Sequence, residues 1–464
     1  MKDKFLNIFN KMKQCRISFI AIILILIISI WYGINLNKWE KNDVINNDAC
    51  IYYAYLPATF IYHDLTFEFS RNLPANFEGR IWTYNAPNGR QVLKMSCGNA
   101  ICWLPFFGMA HLYATLSDNY AADGYSMPYS LFIFISSLFY LCLGLFFLSK
   151  MLLKYFHDFT VGFVLLLIVL ATNLLNYIIQ EPGISHINNF GLICTFLYIS
   201  IKWLDNPTYW RSLLMGLVAG LITLIRPTNI IVLLLPILIG ISNWHDILPR
   251  ITFFKKNIIK ILIIGIAAFI VFLPQLLYWK YITGKYLYYS YQDQGLLFNH
   301  PHIIDGLFSY RKGWLLYTPL MIFAISGFFI LKKYVRGFAF AFVIFMSINI
   351  YLIYSWWCWW YGGSFGSRPM IDSYGLMAFP LAALIEYVFS RKIWLKVIMG
   401  LVFLFILFLN QYQLYQYRIG ILHWESMSRK AYWSIFLTRK VPADYQNMLK
   451  NPNVDQAKNG LEEY

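Results

Sequence analysis

Isolated acidic, histidine and basic side chains stand between long apolar stretches of this 464-residue sequence, often beside Trp, Tyr, Gly or Pro. Such groups can accept a proton, orient a hydroxyl or bind a phosphate. Because ionisable residues are costly near a bilayer core, their recurrence indicates a functional site. The candidates are Asp48, Tyr52, Glu181, His186, Arg226, Arg311, Lys312, Trp360, Gly363, Arg368 and Asp372.

Asp48 is the candidate catalytic base. It follows the first apolar stretch and precedes Tyr52, Tyr53 and an apolar turn. A partly desolvated carboxylate at the lip of a cavity can accept a proton from an attacking hydroxyl. The alternative is that Asp48 only caps a short helix beginning near Ile51. Asp43 lies in the same loop, and the sequence leaves open which of the two acids is the base.

Two further connections carry groups that can bind a substrate. Glu181 and His186 share one short connection between apolar stretches, where such groups are costly unless they pair or bind something. Glu181 could orient a sugar hydroxyl or join Asp48 at a metal, and a Glu–His pair that caps helix ends is an equal alternative. Arg226 precedes a proline, and its forked guanidinium suits a phosphate. The alternative for Arg226 is a side chain that reaches the membrane interface.

Arg311 and Lys312 are adjacent cations beside a glycine, which can contact a lipid phosphate or simply anchor the chain at the membrane interface.

Residues 356–372 hold the densest pattern of aromatic, glycine and charged residues. Aromatic rings such as Trp360 can stack on sugar rings, and glycines such as Gly363 let the backbone approach a ligand. Arg368 adds a phosphate-binding group and Asp372 a carboxylate. An aromatic belt at the membrane interface would explain the tryptophans, but not the glycines with the Arg and the Asp.

The composition bounds the class of protein. Hydrophobic residues make up 59% of the sequence and charged residues 13%, which indicates a membrane protein that crosses the bilayer repeatedly. The net charge of +16 does not indicate nucleic-acid binding, because the cations cluster in short connections and form no basic stripe.

The apolar runs predict an all-α bundle of about eleven transmembrane helices. The Arg226–Pro227 break separates two of these runs, and the alternative of a single broken helix there would invert the orientation of every span downstream. The runs are 17–35, 127–149, 159–180, 187–204, 211–225, 228–243, 258–278, 314–331, 337–355, 374–390 and 393–410.

The Lys and Arg residues predict the orientation of the bundle. With eleven spans and a cytoplasmic N-terminus, each short cytoplasmic connection is basic, as the positive-inside rule requires. The candidate site residues then all reach the external face. The basic connections contain Lys150 and Lys154; Lys202 and Arg211; Arg250, Lys255 and Lys256; Lys332, Lys333 and Arg336; and Arg391, Lys392 and Lys396.

The remaining sequence is assigned to loops. Residues 1–410 form the transmembrane domain, with a long first external loop over 36–126. Apolar, aromatic stretches at Ile51–Tyr62 and Ala100–Leu116 predict amphipathic or re-entrant helices within that loop. Residues 411–464 form an external C-terminal tail.

Several motifs together resemble the GT-C superfamily, membrane glycosyltransferases that use polyprenyl-phosphate sugars. The superfamily includes protein mannosyl-, aminoarabinose- and rhizobial galacturonosyl-transferases, and the similarity is greatest to uncharacterised bacterial members. Many members carry two adjacent acids in the first external loop, whereas Asp43 and Asp48 stand apart here. The similar segments are Asp48 with Tyr53–Tyr62, Lys94–His111, Ala122–Ser126, Glu181–His186 and Trp359–Asp372.

The resemblance implies an inverting glycosyltransferase at the external face of the bacterial inner membrane. Asp48 would be the base, and Arg226, Lys312 or Arg368 would stabilise the phosphate. The partners would be the bilayer, a polyprenyl-phosphate-linked sugar and a glycan, lipid or protein acceptor. The resemblance requires no cofactor and leaves the role of a divalent metal open. The alternative is a transporter or flippase for lipid-linked or envelope glycans, which would predict inverted repeats and polar groups at mid-bilayer.

Overall fold

The computed structural model describes residues 16–73 and 77–461, and it is 66% helical. Its strands within these ranges are β1 (Tyr84–Asn85) and β2 (Gln91–Val92), which form one short antiparallel hairpin. The predicted all-α class is confirmed.

Helices in the first half of the chain surround the hairpin and a 3-10 turn at Glu68–Asn72. They are α1 (Arg16–Leu36), α2 (Asp48–Tyr53), α3 (Tyr55–Phe60), α4 (Gly98–Thr115), α5 (Met127–Leu152), α6 (Asp158–Leu170), α7 (Leu174–Ile179), α8 (His186–Asp205) and α9 (Tyr209–Ile225).

Helices in the second half alternate with three 3-10 turns, at Pro227–Leu233, Trp244–Asp246 and Arg368–Ser373. They are α10 (Leu234–Leu238), α11 (Ile247–Lys256), α12 (Ile258–Thr283), α13 (Ile303–Phe308), α14 (Trp314–Tyr317), α15 (Leu320–Tyr334), α16 (Ala339–Tyr354), α17 (Tyr374–Phe389), α18 (Ile393–Arg418), α19 (Arg429–Ser434), α20 (Tyr445–Met448) and α21 (Val454–Lys458).

Within the described ranges, six helical segments are long and apolar enough to cross a membrane: α1, α5, α8, α12, α18, and the turn Arg368–Ser373 continued by α17. The other predicted runs contain helices that are shorter or broken. The break between α9 and the next turn follows from Pro227. Arg226, which precedes it, is extended (φ −142°, ψ 105°), as the residue before a proline tends to be.

The outer faces of the longest helices are apolar, as contact with lipid requires. This surface differs from that of a soluble protein, whose exposed apolar patches are small. Its exposed side chains include Ile20 and Ile27 of α1, Leu262, Ile266 and Phe269 of α12, and Leu401, Leu404 and Phe405 of α18.

The basic connections meet at one end of the bundle, the basic end. There the Ser18 hydroxyl donates to Asp158 at 2.6 Å, and the ring of Tyr155 packs on Phe338. The connection before α11 joins the connection before α16 where the Gly240 N–H donates to the Gly337 carbonyl at 2.8 Å. The opposite, polar end holds the candidate site residues.

The C-terminal residues pack against the polar end. Helix α18 continues past residue 410 to Arg418, where the buried Asn410, Gln413 and Gln416 amides donate to other segments of the protein. Their acceptors are the Tyr317 carbonyl, the Tyr432 hydroxyl and the Ile435 carbonyl, respectively. The apolar run 393–410 therefore ends before the helix does, because the last turns of the helix carry buried amides. The segment from Ile419 to Leu461 then folds back over the polar end.

Candidate active site

Asp48 is the first residue of α2, and its carboxylate contacts a residue far along the chain. Oδ2 of Asp48 lies 3.0 Å from Nη2 of Arg368, and the Asp48 side chain is 27% exposed. The helix is preceded by Asn47, and no side chain caps it. The carboxylate is thus held by an ion pair rather than used as a helix cap.

Gly183 explains how the Glu181–His186 connection approaches α2. A Cβ at Gly183 would lie 2.5 Å from the Cβ of Ala49 and 2.9 Å from the Val44 carbonyl oxygen. Both distances are too short for real atoms, so a glycine is required there. The close packing brings Glu181 to the same cavity as Asp48.

A cavity of about 480 Å³ opens at the polar end. This volume is typical of a small-molecule site. Its wall combines acids, amides, one lysine and one arginine with glycines, small apolar residues and one tryptophan, so it offers both polar and apolar surface. The lining residues are Lys38, Asp43, Val44, Asn46, Asn47, Asp48, Ala49, Gln180, Glu181, Gly183, Ile184, Gly362, Gly363, Arg368 and Trp424.

Asp43 shares the cavity but is the weaker candidate base. Its carboxylate lies 2.7 Å from the Lys38 ammonium and accepts from the Asn46 amide at 2.9 Å. Burial raises the pKa of the Asp43 carboxyl, but the contacts to Lys38 and Asn46 lower it by more, so the pKa lies below its usual value. A lower pKa makes a carboxylate a poorer proton acceptor.

Glu181 is a partly buried acid on the cavity wall. Its Oε1 accepts from the Asn176 amide at 3.3 Å and from the Tyr417 hydroxyl at 3.4 Å. Burial raises the pKa of the Glu181 carboxyl, while the nearby Arg368 guanidinium opposes that rise. The position suits a group that hydrogen-bonds a substrate hydroxyl.

Asp372, His186 and Arg226 form a connected cluster beside the Asp48–Arg368 pair. Nδ1 of His186 lies 2.8 Å from Oδ1 of Asp372, and Nε2 of His186 lies 3.3 Å from the Arg226 guanidinium. Oδ2 of Asp372 accepts from Asn229 at 2.6 Å and from Asn189 at 3.2 Å. This network holds Arg226 in place, as a fixed phosphate ligand requires.

Lys94 and Tyr291 belong to the same region, although sequence reasoning did not select them. The Lys94 ammonium donates to Gln294 at 2.6 Å and lies 5.1 Å from the centre of the Tyr291 ring. Burial lowers the pKa of Lys94, and the charge of Asp48 opposes that change. The signal for Lys94 was its place in one of the similar segments; Tyr291 carried none.

Tyr52 lies among these charges. Burial and the neighbouring Asp48 carboxylate raise the pKa of the Tyr52 hydroxyl, while Arg226 and Arg368 lower it. Tyr52 therefore remains protonated and can donate a hydrogen bond at neutral pH.

Three other predicted site residues lie behind the cavity wall. The buried Lys312 ammonium donates to the carbonyl oxygens of Ser364 and Trp424, so it holds the two segments of the wall that contain these residues together. Arg311 is fully buried and donates to the Lys450 carbonyl at 3.2 Å. Trp360 is 2% exposed and donates to Glu425 at 2.9 Å. Arg311, Lys312 and Trp360 are therefore held behind the wall, and none of the three lines the cavity.

The described residues do not fit a metal site. Within residues 16–73 and 77–461, no three His, Cys, Asp or Glu side chains converge in a way that could hold an ion. Asp48 is paired with Arg368, and Glu181 with an amide and a phenol. Both acids therefore already have hydrogen-bond partners on the protein.

Comparison of the sequence with protein-family models and with curated proteins finds no match to either. The function is therefore inferred from the geometry of the site and from the chemistry of its residues.

Proposed function

We propose that this protein is an inverting glycosyltransferase of the GT-C type that moves a sugar from a polyprenyl phosphate to an acceptor hydroxyl. The observation that carries the proposal is the placement of Asp48. Its partly exposed carboxylate lines a cavity at one end of an apolar bundle, and Arg368 lies 3.0 Å away.

The residues supply a base and a phosphate site in one place. Asp48 accepts the proton of the acceptor hydroxyl, whose oxygen attacks the anomeric carbon from the face opposite the phosphate. The bond between that carbon and the phosphate oxygen breaks, and the lipid phosphate leaves with the electron pair. A phosphate needs no general acid to leave, so one carboxylate is enough, unlike the pair in most glycosidases.

Arg368, Arg226 and Lys94 are the cations placed to stabilise the phosphate as its charge increases. Arg226 is fixed by His186 and Asp372. Arg368 is paired with Asp48, so a phosphate that attracts Arg368 also frees the carboxylate to act as a base. Donor binding and base activation are thereby coupled.

We place the site at the external face of a bacterial inner membrane, with eleven crossings and a cytoplasmic N-terminus. The meeting of the basic connections at one end of the bundle supports this orientation under the positive-inside rule. The gathering of the ionisable residues at the other end supports an enzyme over the transporter alternative, which predicts polar sites at mid-bilayer.

The test is a comparison of cell-envelope glycans by mass spectrometry. Cells that lack the protein are complemented with the wild-type sequence or with Asp48→Asn, and membrane levels of both are matched by immunoblot. We expect one glycan to lose a sugar in the deletion, to regain it with the wild type and to remain truncated with Asp48→Asn. Identical glycans in all three strains would refute the proposal.

A further inference from the structure

Trp424 comes from the C-terminal segment, yet it lines the cavity together with Asp48. Its main chain is firmly held. The Trp424 carbonyl accepts from the Ser364 N–H at 3.2 Å and also from the buried Lys312 ammonium. These bonds fix the position of Trp424 relative to the opposite wall.

The Trp424 indole fits against residue 363 because that residue is a glycine. A Cβ at Gly363 would lie 2.8 Å from Cε3 of the indole, so the ring rests directly on the Gly363 backbone. The His423 ring stacks against it with centroids 5.4 Å apart and an interplanar angle of 24°. Trp424 nevertheless remains 54% exposed.

A partly exposed aromatic ring that shares a cavity with carboxylates and amides indicates the chemistry of the ligand. The opposite wall offers carboxylates and amides, including Asn47, Asp48 and Glu181. A sugar ring has an apolar C–H face that packs on an aromatic ring and hydroxyls that pair with such groups. A purely apolar ligand would displace water from those groups without offering them a hydrogen bond in return.

We propose that Trp424 is the stacking surface for a pyranose ring of the acceptor, so that the acceptor is a carbohydrate with one hydroxyl directed at Asp48. This inference rests on the proposed function for the direction of transfer. Among the candidate phosphate ligands, Arg368 lines the cavity, whereas Arg226 and Lys94 lie outside its lining. The phosphate is therefore assigned to the edge of the cavity at Arg368, and the part of the cavity beside Trp424 is left for the acceptor.

The test uses the full-length protein in a detergent without a sugar head group. The probes are the methyl glycosides of glucose, galactose, mannose and N-acetylglucosamine and their β-linked disaccharides. Saturation-transfer NMR detects contact between protein and the sugar C–H protons. We expect signal from at least one probe with the wild type, and affinity lower by about tenfold or more in Trp424→Ala.

Matched variants separate stacking from structural damage. Trp424→Phe should keep most of the signal because it retains a ring. Trp433→Ala should keep all of it, since Trp433 is equally exposed (53%) in the same segment but donates to Tyr310 outside the cavity. Gly363→Ala should lose it, because the new Cβ displaces the indole without removing it. Undiminished signal in Trp424→Ala, or no signal from any probe with the wild type, would overturn the inference.

The result is distinguishable from a failure of the proposed function. Asp48→Asn should bind the sugar probes and fail to transfer. If Asp48→Asn still transfers, the proposed function is wrong whatever Trp424 binds. If Asp48→Asn abolishes transfer while Trp424→Ala binds sugars normally, only the stacking role is wrong.

Discussion

Nη2 of Arg368 lies 3.0 Å from Oδ2 of Asp48, although 320 residues separate them along the chain. The pair joins the first loop to the turn that begins the last buried helix, α17. The ion pair also couples the candidate base, Asp48, to a candidate phosphate ligand, Arg368. Neither group can act alone while the other holds it.

The first prediction concerns the identity of the base. Asp48→Asn should lower the rate of sugar transfer by at least about 10²-fold, because it removes a positioned proton acceptor. Asp43→Asn should have a much smaller effect, since Asp43 is held by Lys38. Transfer is measured with purified protein and a radiolabelled lipid-linked donor. A larger loss in Asp43→Asn than in Asp48→Asn would reverse the assignment.

The second prediction concerns the phosphate. Arg368→Gln and Arg226→Gln should each weaken donor binding by about 10- to 150-fold, the equivalent of ~1.5–3 kcal/mol for a charge-assisted contact. Arg368→Lys and Arg226→Lys should recover part of that loss, because they restore the charge without the fork. Binding is measured by displacement of a fluorescent polyprenyl phosphate. Unchanged affinity in both Gln variants would remove these arginines from the donor site.

The sequence was sufficient for the all-α class and for several residues that the structure brings to one end of the bundle. Long apolar runs predict helices because the backbone of a chain in lipid must form its hydrogen bonds within the segment. Each predicted run does contain helical structure. Asp48, Glu181, Arg226 and Arg368 were selected because charge beside apolar helices is rare and costly.

The rest of the site depends on tertiary contacts that leave no local signal. Trp360 and Arg311 looked like ligand-binding residues, but the C-terminal segment covers them. Trp424 looked like a residue of an ordinary tail, although Gly363 gives it a place in the cavity. Lys94 is 200 residues from its partner Gln294, a separation that a local pattern does not register.

The third prediction tests the close approach at Gly183. Gly183→Ala should push α2 away from the Glu181 connection and reduce the rate of transfer by about tenfold or more, because small misplacement of a catalytic group is costly. The matched control is Gly265→Ala in α12, where a new Cβ meets nothing within 4 Å. That change should leave transfer intact and should not destabilise the helix. Equal activity in the two variants would mean that α2 has room to adjust.

The fourth prediction concerns Lys312 and pH. Burial lowers the pKa of its ammonium to about 7, from 10.5 for an ordinary lysine. Between these values the unfolded chain holds a proton that the folded chain lacks, so the free energy of unfolding should rise with pH, by up to ~1.4 kcal/mol per unit. This contribution to the free energy of unfolding is fully present above about pH 10.5, where Lys312 is neutral in both states. It is lost as the pH falls through 7, where the folded protein must also take up the proton.

Lys312→Met should remove this dependence. Thermal unfolding in detergent, followed by tryptophan fluorescence from pH 7 to 9, should show the wild type gaining stability relative to Lys312→Met. The exposed Lys392→Met is the control and should parallel the wild type. Parallel curves for Lys312→Met and the wild type would show that Lys312 stays charged in the folded protein.

The last prediction concerns the orientation of the bundle. Glu78 lies exposed in the first loop at the polar end, and Lys392 lies exposed in the connection before α18 at the basic end. Single cysteines at the two positions, in a background without native cysteines, should react from opposite sides of the membrane. A membrane-impermeant maleimide added to intact spheroplasts should label position 78, and position 392 should react only after the membrane is opened.

Since the positive-inside rule places clustered Lys and Arg in the cytoplasm, the reverse pattern would put Asp48 and its cavity on the cytoplasmic side. Labelling of both positions from outside would mean that an even number of crossings separates them, and the eleven-span arrangement would then be wrong.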